Sequence, residues 1–509
     1  MIVAAIITRA SAADEPLESS VSDKPLRLFG RNTEWRDLTE FASSPLPGAT
    51  LGLVYGRRRQ GKTLLLELLA RQTGGFLFAA TQQTELQNLA DLGAAYAAFR
   101  GLRQPVLFAS WREALDELMR FGTEAPVPVI IDEFPYLSAA TPALPSYLQH
   151  ALSPLSFAKE NTRTRLILCG SALTTMSQLL SGSAPLRGRA TLELVVRPFG
   201  FREAAGFWGL EHDPDLAFRV NALVGGTPAY LEMCGGAGPA SVDELAPWVA
   251  RRLLNPASAM FREGGLLLRE EPSIVDPMSY AATLAAIAAG HHRRSEIAAA
   301  LGRQSGALGH LLAGLQDIGL VAQVDDALRE KRSVFQITEP IIRLYQLLIA
   351  RHEPELVAGR AERVWTANTD TVDSRILGPH FEDLARTWCF EHASEATLGG
   401  YATHVRPTEI ACRDHKQGHE LDVVVTESNS YTADRVTAIG EAKATSSPAD
   451  LPHLERLEHL RALLPSNKIN GTPKLLLFAR SGFTPALAEL ATRRADIELI
   501  DIHRLYRGE

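Results

Sequence analysis

The chain has 509 residues, 46% hydrophobic and 22% charged, which excludes bulk disorder, collagen-like repeats and a coiled-coil rod. At ~100–200 residues per domain this length favours about three domains. Its 52 Lys and Arg against 59 Asp and Glu give a net charge of −7, which excludes a globally basic nucleic-acid coat but not a local basic groove.

The opening MIVAAII is apolar but too short, and no basic region precedes it as in a secretion signal. Residues 1–24 read as a flexible polar tail. No apolar run approaches the ~20 residues that span a bilayer. The four cysteines, Cys169, Cys234, Cys389 and Cys412, lie far apart without a C-x-x-C pair. Neither a zinc knuckle nor a disulfide framework is indicated, and reduced thiols in a cytoplasmic protein are expected.

From residue 25 to 196, apolar strand-like runs alternate with helical patterns, predicting a parallel sheet covered on both faces. TLGLVYG (50–56), PVPVIIDEF (126–134) and TRLILCGS (164–171) are strand candidates, and KTLLLELLARQ is a helix. Residues 197–275 read as mainly helical around a VGGTPAYL loop. Residues 276–350 give three short helices and two strand-like pieces, the order of a helix-turn-helix with a β-wing. In that segment Leu301, Leu308, Leu311, Leu312 and Leu315 form a core stripe, while His291, His292, Arg293, Arg294 and Arg303 are candidates to meet phosphates. Residues 351–373 read as a linker. The remainder, 374–509, reads as a separate α/β domain opened by the helix GPHFEDLARTWCFEHA.

Gly56-Arg57-Arg58-Arg59-Gln60-Gly61-Lys62-Thr63 fits G-x-x-x-x-G-K-[ST] between a strand and a helix, the context that confirms a phosphate loop. Backbone N–H groups of the loop and of the first helical turn, through Leu64, face phosphate oxygens. Lys62 is expected at the β- and γ-phosphates and Thr63 on Mg²⁺. The three loop arginines either line the nucleotide or are solvated. The strand Val129-Ile130-Ile131 carries Asp132 and Glu133 to its end. Alone this would read as a solvated acidic pair; beside a phosphate loop Asp132 is placed to hold Mg²⁺ and Glu133 to polarise the attacking water. Ser171 ends a third strand, either sensing the γ-phosphate or capping the next helix. Arg189, and second to it Arg187, are candidates for an arginine acting across a subunit junction, with surface salt-bridging the alternative.

These motifs resemble the archaeal-type ATPases of the AAA+ and STAND branch of P-loop NTPases. Phe29-Gly30-Arg31-Asn32-Thr33-Glu34 is similar to that family's entry motif, which implies that Arg31 and Glu34 lie on the adenine side. Gly226-Thr227-Pro228 resembles the family's lid motif and adds Pro228 to the cofactor set. The winged-helix order also belongs to this architecture. The resemblance implies ATP and Mg²⁺ as cofactors and a homo-oligomer.

The C-terminal region resembles the PD-(D/E)xK nuclease-like domain attached to many of these ATPases, although Asp422 sits in ELD without the proline. Read from the residues, Glu420 and Asp422 share one face of a strand, as do Glu441 and Lys443 on the next. A hairpin whose loop is ESNSYTADR would bring Asp422, Glu441 and Lys443 together. Carboxylates there suit Mg²⁺, with Mn²⁺ as an alternative, and Lys443 could orient a metal-bound water. Glu382 matches the superfamily's helix glutamate and is expected to complete the shell; His380 reads as a capping or surface histidine. A solvated or relic hairpin is the competing reading. The function expected is an ATP-hydrolysing, Mg²⁺-dependent nuclease-like protein acting on DNA, with RNA left open, and the alternative is an ATP-driven switch with a non-cleaving C-terminal domain.

Overall fold

The structure is a computed structural model that describes residues 23–509 except Pro272, Lys331, 413–415 and 430–431. The tail expected at 1–24 therefore lies almost wholly outside the described residues. The chain forms two compact units. One holds the chain up to Pro198 together with Thr227–Glu232, and the other holds Phe199–Gly226 and Met233–Glu509. The regions expected as lid, helix-turn-helix and C-terminal domain thus share one unit, apart from Arg197, Pro198 and Thr227–Glu232, which join the first. Among the described residues no helix is long and apolar enough to cross a membrane.

The first unit is built on a five-stranded parallel sheet. Its strands are β1 (Thr50–Tyr55), β2 (Phe76–Ala79), β3 (Val127–Asp132), β4 (Thr164–Gly170) and β5 (Ala190–Val195), in the order β2-β3-β4-β1-β5. β1, β3 and β4 are buried almost end to end, as strands covered on both faces must be, and this is why they read as unbroken apolar runs. Helices α1 (Asn32–Ser43) and α2 (Lys62–Thr73) cover one face through Trp35, Leu38, Leu65 and Leu69, which pack on Val54, Ile130 and Ile167. Trp111, Leu115, Phe134 and Leu148 pack on the other face, around Leu53, Val129 and Leu168. Two strands were not expected. β2 has only four residues, and β5 alternates between half-buried and exposed positions.

The second unit begins at Phe199 with a short helix, Phe201–Phe207, followed by α3 (Pro214–Val224). Helices α4 (Pro277–Ala288), α5 (Arg294–Ala300) and α6 (Gly309–Asp317) precede the antiparallel pair β6 (Val321–Asp325) and β7 (Ser333–Ile337). Leu308, Leu311, Leu312 and Leu315 are buried and Leu301 is half-buried. Helix α7 (Pro340–Leu344) follows. The stretch 351–373 is not an extended linker but lies within Ala350–Val357, Ala361–Ala367 and Thr369–Val372, all helical, with Val364, Trp365 and Val372 buried. Its polarity belongs to the outer faces of those helices.

Helix α8 (Gly378–Glu391) leads into a mixed sheet of β8 (His404–Cys412), β9 (Gln417–Asn429), β10 (Thr432–Lys443), β11 (Ile469–Ala479) and β12 (Ile497–Asp501). β8, β9 and β10 are antiparallel neighbours, whereas β10, β11 and β12 run parallel through α9 (Leu451–Ala462) and α10 (Pro485–Thr492). β9 and β10 extend into the segment expected as loop, leaving only residues 430–431 between them. Trp388 is fully buried and meets Phe478 edge to face at 5.8 Å between ring centroids. Trp388→Ala is expected to cost ~3–5 kcal/mol, typical of emptying a buried aromatic site. Denaturant melts should show the transition of the second unit moving down.

Candidate functional site

The first site forms where β1, β4 and β3 end. A parallel sheet directs all its strand ends one way, and the phosphate loop joins β1 to α2 there. The loop turns through left-handed backbone at Arg59 (φ 68°) and Gly61 (φ 83°). A side-chain carbon added at Gly61 would meet nothing within 4 Å, so the cradle is open, whereas at Gly56 it would lie 2.2 Å from the Val196 carbonyl oxygen. The tight position is therefore the strand end and the roomy one faces the ligand side. Gly61 caps α2, whose first-turn N–H groups at Lys62, Thr63 and Leu64 have no helical acceptor four residues back, the geometry in which a helix start can receive an anion.

Lys62 is 6% exposed, and its ammonium donates to the carbonyls of Gly56 at 2.7 Å and Arg57 at 2.8 Å. Burial lowers its pKa, an effect opposed by nearby Asp132 and Glu133. Thr63 Oγ1 donates to Asp132 Oδ2 at 2.9 Å, and the Glu133 N–H donates to Asp132 Oδ1 at 2.8 Å. Ser171, at the end of β4 between β1 and β3, donates from its hydroxyl to Glu133 Oε2 at 3.2 Å. Glu133 itself sits in left-handed backbone (φ 52°), which re-aims the chain directly after the strand.

Arg31 is buried. It donates to Glu34 Oε1 at 2.8 Å and to the Gln60 carbonyl at 3.0 Å, so the entry motif is tied to the phosphate loop. Arg58 donates to the Tyr136 hydroxyl at 2.9 Å, while Arg57 and Arg59 are half-buried. The Ala229 N–H, next to buried Pro228, donates to the Arg59 carbonyl at 3.3 Å, bringing the lid motif to the loop. Arg187 is exposed and donates to Gly182 O at 2.7 Å; Arg189 is half-buried and donates to Leu152 O at 3.1 Å.

The second site lies on β9, β10 and α8. Asp422 Oδ2 accepts the Ala442 N–H at 2.8 Å, which fixes Asp422 against the Glu441–Lys443 strand end. Glu441 is 2% exposed; Lys443 is ion-paired to Oε1 and Arg456 to Oε2, the latter without hydrogen-bond geometry. Burial raises the pKa of Asp422, with Glu441 adding to the rise and the Ala442 N–H opposing it. Burial, then the proximity of Asp422, pushes Glu382 up to about 8. Among the described residues no group of three or more His, Cys, Asp or Glu side chains stands at metal-holding spacing. Glu382, expected to complete the shell, lies close enough to Asp422 to feel its charge. Two carboxylates still suit Mg²⁺, which keeps several of its waters.

Three further expectations are corrected. His380 is neither a surface nor a capping residue: it is buried, its Nε2 lies 2.8 Å from Asn221 Oδ1, and burial pushes its pKa down to about 3. Arg293 does not stand free for DNA phosphates but is ion-paired to Glu409 and Glu296. Arg303 donates to Ser279 Oγ at 2.8 Å, and half-buried His292 has its Nδ1 3.2 Å from the Phe335 carbonyl oxygen. Arg456, which pairs with Glu441, and Arg386, which donates to the Asp422 carbonyl at 2.7 Å, are residues at this site that the motif spacing did not single out.

No protein-family model and no curated protein matches the sequence. Similar solved structures include a Walker-type ATPase of Pyrococcus abyssi, at 21% identity over 64% of this chain and 99% of that one, with TM-score 0.48. The ORC2 protein of Aeropyrum pernix is similar at 16% identity over 69% of this chain and 98% of that one, TM-score 0.43. A STAND protein with a tetratricopeptide repeat sensor from Pyrococcus horikoshii follows at 14% identity over 74% and 52%, TM-score 0.27. With TM-scores below 0.5 these likenesses do not define the site; its own residues do. The strand, glycine-bounded loop, Lys-Thr helix start and adjacent strand-end carboxylate are the arrangement of a P-loop nucleotide site on an α/β sheet.

Glu382 gives a pH test. Its raised pKa means that the folded chain keeps a proton the unfolded chain releases above the usual carboxylate range. The stability that Glu382 contributes is therefore present at low pH and is lost as pH rises from about 4.5 to about 8. In chelator, Glu382→Gln is expected to raise Tm by ~2–4 °C at pH 8.5 and to leave it unchanged at pH 4.5. Thermal melts at both pH values check this.

Proposed function

We propose that this chain is an ATP-binding and ATP-hydrolysing switch protein. The observation that carries the reading is the run of hydrogen bonds from Thr63 through Asp132 to Glu133 and Ser171, laid across the ends of adjacent strands beside Lys62. Two of the three donors of Lys62 rest on loop carbonyls, and a triphosphate offers its ammonium stronger, anionic acceptors. Thr63 and Asp132 would hold Mg²⁺, which neutralises charge on the phosphates. Glu133 is the base that orients water. Because Ser171 bonds Glu133, a hydroxyl that turns towards the γ-phosphate releases the base, which links sensing to hydrolysis. Arg31, Glu34 and Pro228 frame the nucleotide from the entry and lid motifs.

Self-association belongs to the same reading. Arg187 is the more exposed of the two candidate arginines, so it takes precedence over Arg189 for a role between protomers. Mixing Arg187→Ala with Lys62→Ala protein should restore part of the ATPase rate; no recovery removes Arg187 from a role between chains.

A second activity is favoured by the meeting of Asp422, Glu441 and Lys443 on adjoining strands. On this reading the site acts on nucleic-acid phosphodiesters, DNA first. Asp422 and Glu441 would hold Mg²⁺, which supplies an activated water and a counter-charge for the phosphate. Lys443 offsets the buried Glu441 and can stabilise charge that develops beside it.

Lys62→Ala is expected to abolish ATP binding by calorimetry. Glu133→Gln should keep binding and lower kcat by ~10²–10⁴, the range lost with a general base. Asp422→Ala should remove Mg²⁺-dependent DNA cutting while ATP turnover persists. Unchanged cutting in that variant removes the second activity and leaves the ATPase reading intact.

A further inference from the structure

A cavity of about 690 Å³ opens within the second unit, between the helix–hairpin segment and the C-terminal sheet. Its floor carries Glu382 and Asp422, and its opposite wall is made by the start of α5 and by β6 and β7. The wall is docked, not loosely apposed. Arg293 and Arg332 both pair with Glu409 on β8, the latter at 2.9 Å. Thr408 Oγ1 donates to Asp326 Oδ1 at 2.6 Å, and the Ala327 N–H donates to the Pro407 carbonyl at 3.0 Å.

Arg343, at the end of α7, also lines this cavity. It is 6% exposed, and among the described residues its guanidinium contacts are long, the Ile337 carbonyl at 3.4 Å and the Asp383 carboxylate at 3.9 Å, with Glu382 also near enough to favour its charge. A guanidinium has five donors and a strong preference for paired oxygen acceptors. Asp383 is better matched to Arg386, which it meets at 2.5 Å. A nearly buried cation with only long contacts, facing an open chamber, calls for an anion with fork-shaped oxygens.

We propose that this cavity receives a single-stranded, phosphate-bearing polynucleotide segment, with Arg343 contacting one backbone phosphate, while the docked hairpin keeps duplexes out. The volume is that of an ordinary small-ligand site of ~300–1,000 Å³. A duplex, whose major groove alone is ~12 Å wide, does not enter such a chamber. The inference rests on the acid-site reading above, since the same chamber holds Asp422; it names the substrate class of that site. Release of the Glu409 pairs would widen the mouth.

The test uses the full chain in Ca²⁺ without Mg²⁺. Labelled single-stranded DNA, single-stranded RNA and the matching DNA duplex are compared by fluorescence anisotropy across a salt series. Either single strand should bind at least about tenfold more tightly than duplex, the loss expected when one charged contact is out of reach. Arg343→Gln should weaken single-strand binding about tenfold and reduce the salt slope by ~0.7, one phosphate's share. Glu409→Gln should strengthen duplex binding and leave single-strand binding in place. If Arg343→Gln does not fold, Arg343→Lys replaces it and should weaken binding while keeping the slope. Equal binding of duplex and single strand by the unaltered protein, no binding of either single strand, or indifference to both Arg343 substitutions overturns the inference. Selective single-strand binding without cleavage in Mg²⁺ upholds it and removes the proposed reaction instead. Cutting of duplex as readily as single strand upholds the reaction and overturns the substrate class.

Discussion

A charge withdrawn from water must be answered by an opposite charge or by well-aimed dipoles, and both sites are organised by that requirement. Lys62, almost fully buried, is answered by two loop carbonyls and by the carboxylates at the end of β3. Glu441, equally buried, is answered by Lys443 and Arg456. The protein bears the desolvation cost of these groups because each is held on a rigid strand end or helix start, where the partner's position is fixed in advance.

The parallel sheet supplies that rigidity for the nucleotide site. With β4 inserted between β1 and β3, Ser171 stands between the phosphate loop and Glu133 and bonds the latter. On the proposed reading, that hydroxyl is the side chain that would report the nucleotide state to the base. The hydrogen bond from Ala229 to Arg59 ties the same loop to the lid motif.

The second unit uses the same physics with less symmetry. An antiparallel hairpin presents Asp422 and Glu441 together, while α8 buries Glu382 beside Asp422, and both effects raise its pKa. The helix–hairpin segment, which sequence order suggested as a DNA reader, spends Arg293 and Arg332 on Glu409. Its strongest charges are therefore structural, and among the described residues Arg343 is a buried cation with only long contacts, in a helix whose apolar pattern gave no hint of it.

The sequence by itself determined the elements whose signal is local. The phosphate loop is eight contiguous residues, and β1, β3 and β4 are continuous apolar runs because both of their faces are covered. The pairing of Asp422 with Glu441 and Lys443 follows from the two-residue period of strands. Tertiary structure alone decided what depends on partners far along the chain. β2 is too short, and β5 too exposed, to show a pattern of its own. His380 became a core residue because Asn221, on another helix, meets it there, and Arg456 reached Glu441 from a helix that follows the strand. Burial of a polar side chain is a property of what packs around it, and that is not written at its own position in the chain.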